Sequence, residues 1–141
     1  MEQLSQHHEA IAMLIARVFL GVLFLFQGYD AVFNIKIKNI IHNYEDSFQS
    51  KGIPKFLTIL GTWFTSCTEL VGGFLLITGF LKYYALFLLG ADLIVASIAF
   101  GIAAPMWDMR HAFPRLALLL LLLILPSEWD IYTLDHLFFK L

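Results

Sequence analysis

The sequence predicts an all-α integral membrane protein: a bundle of four spanning helices, with both chain ends on one side of the bilayer. Hydrophobic residues make up 60% of the 141 residues and charged residues only 14%, whereas soluble domains carry roughly a quarter charged residues. Several apolar runs are as long as the roughly 20 residues that a helix needs to cross a bilayer. These runs also lack the polar faces that a water-soluble helical bundle requires.

Four apolar segments are predicted to cross the membrane, at residues 10–33, 56–80, 83–104 and 105–126. The first three are long enough without further assumption. The fourth contains a short apolar run between Pro114 and Pro126, so it either begins near Pro105 and bends at Pro114 or thins the bilayer locally. All four belong to a single domain, residues 1–141, since this length leaves no room for a second.

The connections between these spans differ in kind. Only Leu81 and Lys82 separate the second span from the third, which predicts a tight antiparallel hairpin. The first connection is long and mixed in character. Apolar residues recur in it at helical spacing, so we expect an amphipathic helix at the membrane interface; they are Ile37, Ile40, Ile41, Tyr44 and Phe48.

Basic residues divide unequally between the two sides of the predicted bundle. Side A, which holds both termini, carries Lys82 and Lys140. Side B carries most of the remainder: Lys36, Lys38, Lys51, Lys55 and Arg110, with Arg115 close by. Because cytoplasmic loops are enriched in Lys and Arg, we expect side B to be cytoplasmic and the termini to be non-cytoplasmic.

Four ionisable residues stand out inside the predicted spans: Arg17, Glu69, Asp92 and Arg115, with Gln27 and Asp30 near an end of the first span. A charge at the bilayer centre costs about 2.5–3.5 kcal/mol on insertion scales, so such residues are the first candidates for a functional site. A rise of about 1.5 Å per residue places Glu69 and Asp92 each about 15 Å from the hairpin turn, and Arg17 about 10 Å from side A. Small residues share their helix faces and favour close packing. We therefore expect one buried polar cluster in which Arg17 faces both carboxylates.

Two interpretations of this cluster stay open. In the first, it only fixes the register and packing of the helices. In the second, two acids against one cation leave an excess negative charge, and one acid keeps its proton. Such a group would relay a proton, hydrogen-bond a quinone head or bind a cation. The sequence assigns no catalytic residue.

A second polar cluster is predicted near side B, from Gln27, Asp30, Asp108, Arg110, His111 and Arg115. By depth, Asp30 and Arg115 are the expected pair. The group is either a set of ordinary interfacial anchors or the mouth of a pocket for an amphipathic ligand or lipid headgroups.

Several classes of chemistry are disfavoured by the sequence. Cys67 is the only cysteine, so no dithiol or cysteine metal cluster forms within the chain. The histidines lie outside the predicted spans or at their edge, and we expect no haem and no metal site. The net charge of −2 gives no reason to expect a nucleic acid partner.

Two glycine-containing segments resemble the DoxX family. The run RVFLGVLFLFQG at residues 17–28 is similar to the opening helix of that family, and ELVGGFLLITG at residues 69–79 is similar to its second helix. The resemblance covers roughly residues 17–135. It implies a four-helix inner-membrane protein of undefined biochemical role, with Arg17 and Glu69 as the matching charged residues. Asp30 departs from the pattern, since many members place Lys near this point.

The resemblance also frames the functional alternatives. Some relatives are described as membrane subunits linked to quinone-dependent sulfur oxidation, others as parts of redox-protective assemblies, and more distant ones as membrane chaperones or cargo receptors. We expect a non-catalytic membrane subunit or scaffold, in contact with lipid and with protein partners or further copies of the chain. A membrane subunit of a quinone-linked oxidoreductase and a small-solute or ion transporter are the alternatives. No cofactor is predicted, although a quinone fits the second of these three readings.

Overall fold

The computed structural model describes residues 7–103 and 110–139, and the regular secondary structure in these ranges is all helical. Its α-helices are α1 (His8–Tyr29), α2 (Ile37–Gln49), α3 (Lys55–Thr78), α4 (Lys82–Ala103), α5 (Ala112–Ile124) and α6 (Leu134–Phe139). A π-helical turn, Asp30–Asn34, extends α1, and a 3₁₀ turn, Ser127–Trp129, follows α5. The predicted all-α membrane bundle is confirmed.

Three helices have the length and composition to cross a membrane. They are His8–Asn34 with 27 residues, Lys55–Thr78 with 24 and Lys82–Ala103 with 22. Large apolar side chains on their outer faces stay exposed, as expected where lipid is the solvent; examples are Ile15, Phe26, Phe74, Phe87 and Ile94. The amphipathic helix predicted in the first connection is α2.

The fourth predicted span, residues 105–126, contains α5. This helix runs from Ala112 to Ile124 and has 13 residues, so it is about 20 Å long. Pro114 lies in its first turn, where proline leaves no missing hydrogen bond. The predicted start of the span, near Pro105, lies outside the described part of the chain.

Helices α1 and α3 pack with their backbones in close approach. A Cβ atom built on Gly28 would overlap the backbone of Leu70, and one built on Gly73 would overlap the backbone of Leu25 and Gly21. Only glycine fits these positions, as in other membrane helix pairs with small residues at the contact. The predicted small-residue faces of α1 and α3 are therefore the faces that meet.

The core lies beside this contact and involves α1, α3, α4 and α5. Its fully buried members include Leu20 and Phe24 of α1, Leu76 of α3, Leu89 of α4 and Leu122 of α5. Because α5 contributes to this core, the short helix is part of the bundle and not an appendage.

Residues 79–81 join α3 to α4 in a tight turn. Gly79 has a positive φ of 68°, and Leu81 has a φ of 49°. The amides of Leu81 and Lys82 donate to the two carboxylate oxygens of Asp135 at 2.8 and 2.9 Å, so a side chain from α6 caps the start of α4. The C-terminal segment thus packs against the hairpin.

Helix α2 is held against the bundle by both polar and aromatic contacts. Lys55 Nζ lies 2.7 Å from Glu45 Oε1, and Lys51 Nζ donates to the carbonyl of Ile102 at the end of α4. The Tyr44 ring lies edge-on to the Phe100 ring, with centroids 6.4 Å apart. These contacts attach α2 to both α3 and α4.

Candidate functional site

Arg17 does not join the predicted cluster with Glu69 and Asp92. Its guanidinium donates to the carbonyls of Leu76 at 3.0 Å and Tyr132 at 2.5 Å, and its Nε lies 3.6 Å from Asp130 Oδ1. The side chain is 1% exposed. The structure therefore corrects the predicted pairing: Arg17 belongs to the hairpin end of the bundle.

The error has a geometric cause. Side chains on an α-helix tilt toward the N-terminus of that helix, and the N-terminus of α1 lies at the hairpin end of the bundle. The long Arg17 side chain therefore extends toward the hairpin, and it meets α3 at Leu76 instead of Glu69. Seven residues separate these two positions, which is about 10 Å along α3.

Asp130 is the counter-ion for two buried cations. Its Oδ2 atom lies 2.6 Å from Lys82 Nζ, and its Oδ1 atom faces Arg17. All three side chains are 5% exposed or less. The cluster of Arg17, Lys82 and Asp130 ties α1 and α4 to the C-terminal segment, and its contacts fit a structural role.

A half-buried chain of hydrogen bonds links α1, α3 and α5. Gln27 Nε2 donates to Glu69 Oε1 at 2.6 Å, and Arg115 donates to Gln27 Oε1. The Arg115 guanidinium also lies over the Phe24 ring, 5.5 Å from its centroid. Arg115 therefore supplies the cation that the sequence assigned to Arg17.

Asp92 lies beside this chain without a hydrogen bond of its own. It is 0% exposed, and neither carboxyl oxygen has a hydrogen-bond partner among the described residues. Its charge interacts with Glu69 and with Arg115. The structure thus brings together Glu69 and Asp92, as their equal distance from the turn predicts, and places Arg115 with them.

A cavity of about 980 Å³ extends from this polar group toward α2. We call it the chamber. Its wall on α3 is one stripe from Leu57 to Glu69, about 18 Å long. Helix α1 contributes Gln27, α4 contributes Ala96 and Ala99, and α2 closes one side with apolar and aromatic residues; these are Ile40, Tyr44 and Phe48.

The polar atoms of the chamber are unevenly distributed. Gln27, Glu69 and Arg115 stand together at one end, and they also line an adjoining cavity of about 350 Å³ with His111. Toward the other end, Thr58 is 5% exposed and its hydroxyl has no hydrogen-bond partner in the described structure. Between them α3 contributes the small and polar residues Gly61, Thr62, Thr65 and Ser66, whereas the facing walls on α2 and α4 are mainly apolar, so the chamber is amphipathic.

The second predicted cluster is only partly assembled. Asp30 lines the chamber, but its carboxylate accepts a hydrogen bond from Asn34 at 2.5 Å, so the predicted pairing with Arg115 is wrong. Arg115 instead donates a hydrogen bond to Gln27, which precedes Asp30 by about one helical turn on α1. His111 lines the smaller cavity, and Arg110 is exposed. Asp108 lies outside the described residues.

Several residues of these two sites were missed by the sequence analysis. Asp130 and Asp135 follow the last apolar run on the side that holds Arg17 and Lys82, and opposite charge on one side of the bundle was the available signal. Tyr44 was read only as part of an interfacial helix. Thr58 gave no signal apart from its place on the polar stripe of α3.

The polar residues at the end of the chamber, Gln27, Glu69 and Arg115, offer hydrogen bonds and charge to a ligand. Among residues 7–103 and 110–139, no three His, Cys, Asp or Glu side chains form a group that could hold a metal ion. Arg115 has guanidinium donors beyond the one bound to Gln27, since a guanidinium carries five. The arrangement can therefore hold the oxygen atoms of an amphipathic molecule whose apolar part lies against α2 and α4.

Comparison with known proteins agrees with the fold. No curated protein and no solved structure matches the chain. The model of the DoxX family matches residues 12–102, which includes most of α1 and the whole of α2 and α3 and ends just before the last residue of α4. The match covers well over half of the sequence, so the chain belongs to the DoxX family.

Proposed function

We propose that this DoxX protein is a membrane subunit without catalytic activity of its own, and that its chamber holds an amphipathic molecule of quinone size. The main support is the chain of Arg115, Gln27 and Glu69 at one end of an otherwise largely apolar cavity of about 980 Å³. Ligand sites are typically cavities of about 300–1,000 Å³ with mostly apolar walls and a few oriented polar groups.

The donors fit a quinone head. Arg115 would donate a hydrogen bond to one carbonyl oxygen of the head, while the apolar walls on α2 and on the Ala96 and Ala99 side of α4 would hold the isoprenoid chain. A bound quinone would supply electron-carrying chemistry, and electrons would come from a partner protein. Gln27 would keep Arg115 and Glu69 in place through its two hydrogen bonds.

The proposal is tested by photolabelling. Purified protein in lipid nanodiscs is irradiated with a photoreactive short-chain ubiquinone analogue, and labelled peptides are identified by mass spectrometry. We expect labels on α3 between Leu57 and Glu69, competed by unlabelled ubiquinone. Arg115→Gln should lower labelling at least tenfold, a loss of about 1.4 kcal/mol.

Arg110→Gln is the matched control. It removes a nearby guanidinium that is exposed and does not line either cavity, so labelling should match the wild type. Uncompeted labelling on the outer lipid-facing surface alone would contradict the proposal. Solute or ion flux by the protein alone in liposomes would favour a transporter instead.

The proposed location is the inner membrane, with side B in the cytoplasm. The support is the count of basic residues, because side B carries Lys36, Lys38, Lys51 and Lys55 against Lys82 and Lys140 on side A. A green fluorescent protein fused to the C-terminus should stay dark and alkaline phosphatase at the same point should be active. The reverse result would overturn this orientation.

A further inference from the structure

The buried charges around the chamber do not balance. Glu69 is 5% exposed and Asp92 is 0% exposed, and each would carry a negative charge when ionised. Arg115 is the one cation of the described residues whose charge acts on both. Two carboxylates and one guanidinium leave an uncompensated negative charge away from water, which is strongly unfavourable.

Within residues 7–103 and 110–139, no other cation forms an ion pair with Glu69 or Asp92. On α1, Gln27 is neutral, and Arg17 is paired with Asp130. On α4 itself, Lys82 is also paired with Asp130. The other titratable side chains at the cavities, apart from Asp30 on Asn34, are Tyr44 of α2 and His111 beside α5.

The hydrogen bonds of Glu69 and Asp92 indicate which of the two carboxyl groups is suited to carry a proton. Glu69 accepts from Gln27, and Gln27 in turn accepts from Arg115, so the ionised form of Glu69 has a donor and a linked cation. Both oxygens of Asp92 lack a donor in the described structure. A carboxyl group in such surroundings is more stable with its proton than as an isolated charge.

We propose that Glu69 and Asp92 hold one proton between them, so that with Arg115 the polar end of the chamber is electrically neutral. This deepens the proposed function and rests on it for the identity of the ligand. A neutral site admits an uncharged head with acceptor oxygens, such as a quinone. A carboxylate head would bring an additional buried negative charge and bind only with uptake of a second proton.

The proton is tested without any ligand, by infrared spectroscopy of the protein in nanodiscs at neutral pH. A protonated carboxyl group has a C=O stretch distinct from that of a carboxylate. We expect about one such group per chain, calibrated against the fully protonated protein in acid. Glu69→Gln and Asp92→Asn should each abolish the band, because the remaining acid then ionises opposite Arg115. Arg115→Gln should about double it.

Asp46→Asn is the control, since Asp46 is exposed on α2 and its removal should leave the band unchanged. A folded wild type without the band, or loss in only one of the two acid variants, overturns the shared proton. If the acid variants fail to fold, the wild-type band and its removal at alkaline pH decide the question alone.

A second arm tests the ligand class. Decylubiquinone and decanoate present chains of equal length with a neutral and an anionic head. At neutral pH we expect decylubiquinone to compete for the photolabel at least tenfold better. Equal competition would overturn the selection of a neutral head. Since the infrared band requires no ligand, a band without quinone binding would show that the shared proton stands and that the proposed function fails.

Discussion

Nε of Arg17 lies 3.6 Å from Oδ1 of Asp130, so the first spanning helix forms an ion pair with the segment that follows the last helix of the bundle. The same carboxylate holds Lys82 at 2.6 Å through its other oxygen. Because all three groups are buried, the pairings have consequences for stability that an exposed ion pair would not have.

Asp130→Asn should strongly destabilise the bundle. The change leaves two buried cations without their counter-ion, and removing one partner of a buried pair costs about 3–5 kcal/mol. The free energy of unfolding in mixed detergent micelles measures the loss. Asp46→Asn, at an exposed position, should stay within about 0.5 kcal/mol of the wild type. Equal stability of the two variants would contradict the pairing.

Gly73→Ala should weaken the contact between α1 and α3. A Cβ at this position would overlap the backbone of Leu25 and Gly21, and overpacking costs about 1–3 kcal/mol. Gly61→Ala is the matched control on the same helix, because a Cβ there meets nothing within 4 Å. The control should be neutral or slightly stabilising, and thermal denaturation in nanodiscs separates the two outcomes.

Asp135→Ala should loosen the hairpin end of the bundle. It removes the acceptor of the Leu81 and Lys82 amides, and loss of a helix cap costs about 0.5–2 kcal/mol. Hydrogen exchange should quicken at the start of α4 and remain unchanged at the start of α3. Glu128→Ala, at an exposed site in the same segment, should have no such effect. Unchanged exchange at Leu81 and Lys82 in Asp135→Ala would refute the capping.

The attachment of α2 to the bundle should weaken at acidic pH. The hydrogen bond from Lys55 lowers the pKa of Glu45 from its ordinary value of 4.5. A lowered pKa means that the ion pair contributes fully above pH 4.5 and that its contribution is lost as the pH falls through the folded-state value. Protection factors of α2 amides should fall in that acid range. Glu45→Gln should remove this dependence, and Asp46→Asn should keep it.

Ala99→Phe should fill the chamber. Ala99 lines the cavity, so a benzyl side chain there would displace an amphipathic ligand and lower photolabelling by the quinone analogue at least tenfold. Ala91→Phe places the same side chain on the exposed face of α4 and should leave labelling unchanged. Equal labelling of both variants would indicate that the ligand lies elsewhere.

Hydropathy and spacing predict much of this fold. Long apolar runs give α1, α3 and α4, and the periodic Ile, Tyr and Phe residues give α2. The apolar run between Pro114 and Pro126 gives the described part of the fourth segment, α5, and the predicted start near Pro105 lies outside the described residues. Among the charges, the common level of Glu69 and Asp92 followed from their similar distance to the predicted hairpin turn.

The partners of Arg17 could not be predicted in the same way. A depth count locates Cα atoms, whereas a long guanidinium side chain acts about one helical turn away, on the side set by helix direction. Its counter-ion Asp130 lies in a short irregular segment that has no periodic pattern. The chamber also depends on how α2 folds back over α3, and no local sequence signal specifies that return.

The pairing of Arg17 with Asp130 bears on how the chain is made. Translation delivers the cation in the first helix long before its counter-ion, so the nascent bundle has to accommodate an unpaired guanidinium until Asp130 has been synthesised. An insertion factor that shields polar groups would therefore act on this chain between the synthesis of Arg17 and that of Asp130.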